Sequence, residues 1–184
     1  MVNGLIRLAR QCRRIAKDNQ AATAGEFVIV APIIIAIILA TLQIGVLFAA
    51  KAYIETGAEE AARTVLTNKA VVSANGATVP MTQAQFQAAV CAELPALFNC
   101  SNLIVILEPL PSGTTNLSTL LPTFDSSGAL KTTLPFSTGS SGQLMFLLVA
   151  YQWPVYGGVL GLNFNTMGNG TTLLTSTQIF KTEI

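Results

Sequence analysis

Few residues in this chain could do chemistry, and their types limit what that chemistry is. There is no histidine, so imidazole acid–base catalysis is excluded. The nine acidic residues are scattered. Glu59 and Glu60 are adjacent, and on a helix adjacent side chains diverge by about 100° and cannot work as a pair. Three cysteines remain: Cys12, Cys91 and Cys100. Two thiols near one another need further ligands to hold zinc, and no imidazole supplies them. No phosphate loop or internal repeat occurs. The inventory argues against an enzyme, with no cofactor and no metal, and turns attention to one isolated carboxylate, Glu26.

Glu26 stands at the mouth of an apolar run. From Phe27 to Ala50 there are 24 residues without a charge. A helix of that length spans roughly 36 Å, and a bilayer hydrocarbon core is about 30 Å thick, so the run is long enough to cross it. Arg7, Arg10, Arg13, Arg14 and Lys17 hold five of the ten basic residues ahead of the run. Excess Lys and Arg on one flank marks the cytoplasmic side. The expected topology is a single pass, with a cytoplasmic N-terminus and an exported C-terminal domain. A cleaved secretory signal is the rival, with Ala50-Lys51-Ala52 as its site. The apolar run is too long for a signal core, however, and the helical pattern continues past that site.

Charged residues make up only 10% of the chain, well below the roughly 25% of soluble domains. The membrane run explains part of this deficit. The rest requires a domain whose polarity comes from Ser, Thr, Asn and Gln. The net charge of +1 gives no general attraction to nucleic acid.

Three regions follow: a basic leader at 1–21, a transmembrane helix at 22–50 and an exported domain at 51–184. Residues 1–20 read as a basic amphipathic helix. Past Ala50, the residues Tyr53, Ile54, Gly57, Ala58, Ala61, Ala62, Val65 and Leu66 form a narrow apolar stripe, with Lys51, Glu55, Glu59, Glu60 and Arg63 between them. The helix should therefore continue to about Thr67. A loop is expected at Ala74–Pro80. Thr82 and Gln85 then form a capping box opening a second short helix, whose apolar positions are Phe86, Ala89, Val90, Leu94 and Leu97. Pro95 should kink or end it. Strands are expected at Leu103–Leu107, Leu144–Trp153 and Leu173–Phe180, separated by a long loop over Pro109–Gly142 and another over Tyr156–Gly170. The fold class is α+β, with a roughly three-stranded antiparallel sheet. Cys91 and Cys100 lie on the exported side, where disulfides persist. Pairing them closes a small loop worth about 2–3 kcal/mol; the alternative is two buried thiols. Cys12 should be a free cytoplasmic thiol. The sequons at Asn116-Leu117-Ser118 and Asn169-Gly170-Thr171 are read as chance.

Ala21-Ala22-Thr23-Ala24-Gly25-Glu26-Phe27, followed by an apolar helix with Val30-Ala31-Pro32, resembles the processing region of type IV pilin-like proteins. It resembles most closely the TadE-like family of the Tad (Flp) pilus system. The resemblance implies cleavage by a prepilin peptidase between Ala21 and Ala22, where the family usually has Gly in place of Ala21. It further implies an assembly carboxylate at Glu26 followed by Phe27, with a helix kink at Pro32. Two exported cysteines, a strand ending as Tyr151-Gln152-Trp153-Pro154 and a close as Phe180-Lys181-Thr182-Glu183 extend the likeness. The implied function is a minor pilin or pseudopilin, a structural protein. Its partners would be other pilins through the N-terminal helix, the peptidase and inner-membrane lipids. The filament would carry it outside the cell. The alternative is a single-pass tethered binding or scaffold protein of the envelope, neither processed nor polymerised.

Overall fold

The computed structural model describes residues 19–67, 69–74, 77–111, 113, 116–131, 133–155 and 164–183. The leader helix expected at 1–20 lies almost wholly outside the described residues, as does the first half of the loop at 156–170. Helix α1 (Asn19–Leu66) is continuous over 48 residues. It is followed by β1 (Val71–Ala74), β2 (Ala77–Pro80), α2 (Gln83–Ala92), β3 (Leu103–Pro109), β4 (Leu144–Pro154) and β5 (Thr171–Lys181). Strands β1 and β2 form an antiparallel hairpin, and β3, β4 and β5 form an antiparallel sheet in that order. The expected α+β architecture is therefore present. The chain divides into two compact units, one holding α1 as far as Ile44 and the other holding the described chain from Gly45 onward.

In the second unit, the stripe on α1 forms the base of the main core. Ile54, Ala58, Ala61, Ala62 and Val65 are buried there with Phe86, Val90, Cys91 and Leu94 of the α2 region. The helix-facing side of the sheet supplies Leu103, Val105, Leu107, Met145, Leu147, Val149 and Tyr151. Tyr53, placed in the stripe by its spacing, is 47% exposed; its position adjoins Ile54 but lies around the helix from the buried line. Opposite the stripe, Lys51 pairs with Glu55 at 3.7 Å and Arg63 with Glu60 at 3.4 Å. These exposed pairs contribute only about 0.2–0.5 kcal/mol each.

Helix α2 begins as its sequence requires. The Thr82 hydroxyl accepts from the Gln85 backbone N–H, and the Gln85 side chain accepts from the Thr82 N–H. It ends at Ala92, before Pro95. Leu97 and Ala89 are exposed, contrary to expectation, and Phe98 fills the core instead. The helical period does not extend past Ala92, so the turn that follows rotates Leu97 outward. Phe98 stacks edge-on against Tyr151 at 5.0 Å and Trp153 at 5.5 Å.

The expected loop at Ala74–Pro80 is corrected to the β1–β2 hairpin. The segment at 109–142 also differs from a simple long loop. It carries a 3-10 turn at Leu117–Leu120 and a bridge from Phe124 to Leu130. Leu110, Leu120, Phe124, Leu130 and Leu134 cover the second face of the sheet, packing on Ile104, Ile106, Phe146, Leu148 and Ala150. Strand β4 is thus buried on both faces. Its unbroken apolar run, Leu144–Ala150, follows from that position in the middle of the sheet.

Low charge is compensated by a repeated local device. At Asn99, Asn116, Asp125 and Asn169 the side-chain oxygen accepts from the backbone N–H and the hydroxyl two residues on, at Ser101, Ser118, Ser127 and Thr171. These turns satisfy backbone donors where strands and 3-10 turns begin. Both sequons lie in such turns, which accounts for their Asn-x-Ser/Thr form.

Gly57 marks the closest approach of α1 to the end of α2. A methyl group there would stand 3.0 Å from the Leu94 Cδ2. Leu94 is flexible at its tip, and alanine gains about 0.8–1 kcal/mol of helix propensity over glycine. Gly57→Ala should leave the melting temperature of the detergent-solubilised protein unchanged or slightly raised. Gly57→Leu overpacks the contact and should destabilise by about 1–3 kcal/mol. Equal melting of the Leu variant and the wild type would show that α1 does not pack closely at this point.

Candidate functional site

The residues singled out in the sequence fall on two elements. Ala21, Ala22, Glu26, Phe27 and Pro32 all lie within α1. Cys91 closes α2 and Cys100 begins the turn leading into β3. Glu26 is exposed, and Phe27, Val28 and Ile29 after it are each about 70% exposed, at 71%, 69% and 71%. The apolar surface continues through Ile33, Ile34, Ile35, Ile37, Ile38, Leu39, Leu42, Val46 and Phe48. A helix apolar all round, with nothing among the described residues packed on most of it, is suited to an apolar medium or to other helices. Gly25–Leu66 is long and apolar enough to include a membrane span, which suggests a single-pass anchor. Backbone needs inside it are met locally: the Thr41 hydroxyl donates to the Ile38 carbonyl at 2.8 Å.

Pro32 lies inside this helix, which runs on through it. Proline has no N–H, so the Val28 carbonyl lacks its usual donor four residues on. Ala22 and Glu26 are four apart on the same helix, which places them one turn apart on one face. The expected cut between Ala21 and Ala22 thus falls within helical backbone.

Cys91 and Cys100 are disulfide-bonded, with Cα atoms 5.7 Å apart. The bridge holds the end of α2 beside the start of β3. Around it, the Gln87 amide donates to the carbonyls of Cys100 and Leu103, and the Gln83 amide donates to the Val105 carbonyl. The Tyr151 hydroxyl accepts from the Asn99 N–H at 3.0 Å. Sequence reasoning missed Gln83 and Gln87. Their spacing of four, on the α2 face preceding a strand, was the available signal.

Elsewhere the ionisable groups serve the fold. Hydrogen bonds from the Ser127 hydroxyl, then from the Ala129 N–H, hold the Asp125 carboxyl below its ordinary range. Asp125 therefore supports its turn at neutral pH and loses that contribution as pH falls through its lowered value. Burial pushes Glu108 up. Among the described residues, no group of His, Cys, Asp and Glu is placed to hold a metal ion.

The disulfide should give a measurable share of stability. Reduction removes a bridge worth about 2–3 kcal/mol in the chain-entropy account, so the melting temperature of the second unit should fall under reductant. Thiol labelling of the unreduced, denatured protein should leave Cys91 and Cys100 unmodified. Labelling at Cys91 or Cys100 would mean that the bridge does not form in the cell.

No curated protein and no solved structure matches the chain. A family model does: residues 21–63 match TadE-like protein. The matched stretch starts at the proposed cleavage point and ends near the top of α1, and it leaves the cysteines, the sheet and the C-terminal close outside it. From Ala21 to Arg63, over the helix that carries Glu26, the chain is similar to TadE-like protein.

Proposed function

We propose that this chain is a minor pilin or pseudopilin of a Tad-type pilus, anchored in a bacterial inner membrane by α1 with its second unit exported. The match to TadE-like protein carries the reading, because it lies on the segment a pilin uses for processing and packing. The match supports the coarser statement, a Tad pilus-associated protein of a structural family. The finer role rests on the chemistry of α1.

A prepilin peptidase cuts between Ala21 and Ala22 and creates an ammonium on Ala22. Glu26 lies one helical turn away, the separation at which opposite charges on a helix meet. A carboxylate within a bilayer costs roughly 2.5–3.5 kcal/mol on insertion scales and needs such a partner. The ammonium is supplied by the same chain or by a neighbouring pilin. The uncharged surface from Phe27 to Phe48 then packs against other pilin helices or lipid. Pro32 is the point at which that helix can bend, since the Val28 carbonyl is already released there.

Two measurements test this. N-terminal sequencing of the protein from native membranes should begin at Ala22. An intact Met1 in cells with an active pilus machine would favour the unprocessed tether. Glu26→Gln keeps the size of the side chain but removes the charge. Breaking a buried pair from one side costs about 3–5 kcal/mol, so surface pilus yield should fall sharply while membrane level stays normal. A solvated helix-end carboxylate is worth only about 0.3–1 kcal/mol. Normal pili at a normal level of the Gln variant would take the assembly role away from Glu26.

A further inference from the structure

The two outer edges of the three-stranded sheet are treated differently. On β3 the outward groups are covered: the Leu103 and Val105 carbonyls accept from Gln87 and Gln83, and Leu107 pairs through its N–H and carbonyl with Pro135 and Ser137. On β5 only the ends are covered. The Thr171 carbonyl accepts from Thr166 and Met167, the Leu173 N–H donates to the Thr166 hydroxyl, and the Glu183 N–H donates to the Leu66 carbonyl. These contacts show that odd-numbered residues of β5 turn their backbone away from β4, since antiparallel ladders alternate. Thr175, Thr177, Ile179 and Lys181 therefore present N–H and carbonyl groups outward. No partner meets them among the described residues, and their side chains are exposed.

An edge of this kind is normally protected by charge, proline, a bulge or short length. Strand β5 is 11 residues long and has no charge or proline from Thr171 to Phe180. The hairpin has the complementary deficit. A two-stranded hairpin is marginal alone and needs a third strand. The Met81 N–H donates to the Ala70 carbonyl, so in the β1–β2 ladder Val71 and Ser73 turn their backbone outward. Both are exposed, and the outward edge of β1, unlike that of β2 with its Pro80, keeps the N–H of each outward residue, with no partner for it among the described residues.

We propose that β1 of one copy adds to the free edge of β5 in a second copy of this chain, extending the sheet across the contact. Both segments are uncharged where they would meet, so nothing is desolvated unpaired. Val71 and Ser73 would lie among Thr175, Thr177 and Ile179, the β-branched and hydroxyl cross-strand pairs that sheets favour. A β5–β5 contact would be two-fold and closed, and would leave the outward groups of β1 unpaired. A β1–β5 contact is head-to-tail, pairs both sets of outward groups and leaves an unused edge on each terminal copy to continue a chain of subunits.

The test uses the full-length protein in membranes, in a Cys12→Ser background. Two differently tagged copies are co-expressed, one with Ser73→Cys and the other with Thr177→Cys, and mild oxidant is added. A mixed-tag, reductant-sensitive dimer is expected from the 73/177 pair and not from 73/73 or 177/177. Adding Thr175→Pro to the Thr177→Cys copy removes an outward N–H that β4 does not use. It should abolish the cross-link without changing that copy's membrane level or melting temperature. Absence of the 73/177 dimer, its persistence with Thr175→Pro, or a 177/177 dimer in its place would overturn the proposal. Retention of the chain in alkali-washed membranes reports the anchor separately, so failure of the anchor and failure of the contact are distinguishable.

Discussion

The core that the α1 stripe shares with α2 and one face of the sheet is the constraint on which the second unit depends. Gly57, Ala58, Ala61 and Ala62 keep one side of the helix small, so the Leu94 side chain can reach nearly to the backbone at Gly57. Ile54 and Val65 fill the space at either end of that stripe. A larger residue in the middle would lift the helix off the core. Between Phe27 and Phe48 the same helix carries exposed apolar residues on every side.

The sheet is a second consequence. With one face taken by α1 and α2, the other must be covered by what remains, and the 109–142 segment does this with five apolar side chains. That segment is held in place by hydrogen bonds, with no ion pair described in it. The Asp125 turn closes on Ser127 and Ala129. Gly128 follows at a φ of 80°, where a Cβ would run into Asn169, and its carbonyl accepts from Gln152 of β4. Amide and hydroxyl groups do here what charges do on most soluble domains. A surface with few charges is suited to burial against neighbouring subunits, because neutral groups lose less on leaving water than ions do.

The pilin reading draws on both features. A processed α1 would supply a carboxylate and an ammonium one turn apart, and the exported unit would supply neutral surfaces that can be stacked. The disulfide and the Gln83 and Gln87 amides close the β3 edge, while β5 is left open. An edge capped on one side and open on the other has a direction, as a growing assembly does.

Much of this was legible in the sequence, because local physics decided it. The uncharged run after Glu26 has the length of a bilayer crossing. The Thr82–Gln85 box starts α2, and the apolar run at Leu144–Trp153 reads as a strand whatever surrounds it. The cysteine pair follows from spacing and compartment, and the TadE-like pattern at 21–32 needs only linear order. What the sequence left open depended on distant partners. Asn75-Gly76 between two short runs is a hairpin signal, but runs of four residues with Pro80 at one end read as loop. Leu97 and Phe98 are equally apolar, and only the turn after Ala92 decided that Phe98 goes in against Tyr151 and Trp153. The 109–142 segment has no period because its leucines do not share one helix or strand face. They share the far side of a sheet, and only tertiary structure brings that sheet to them.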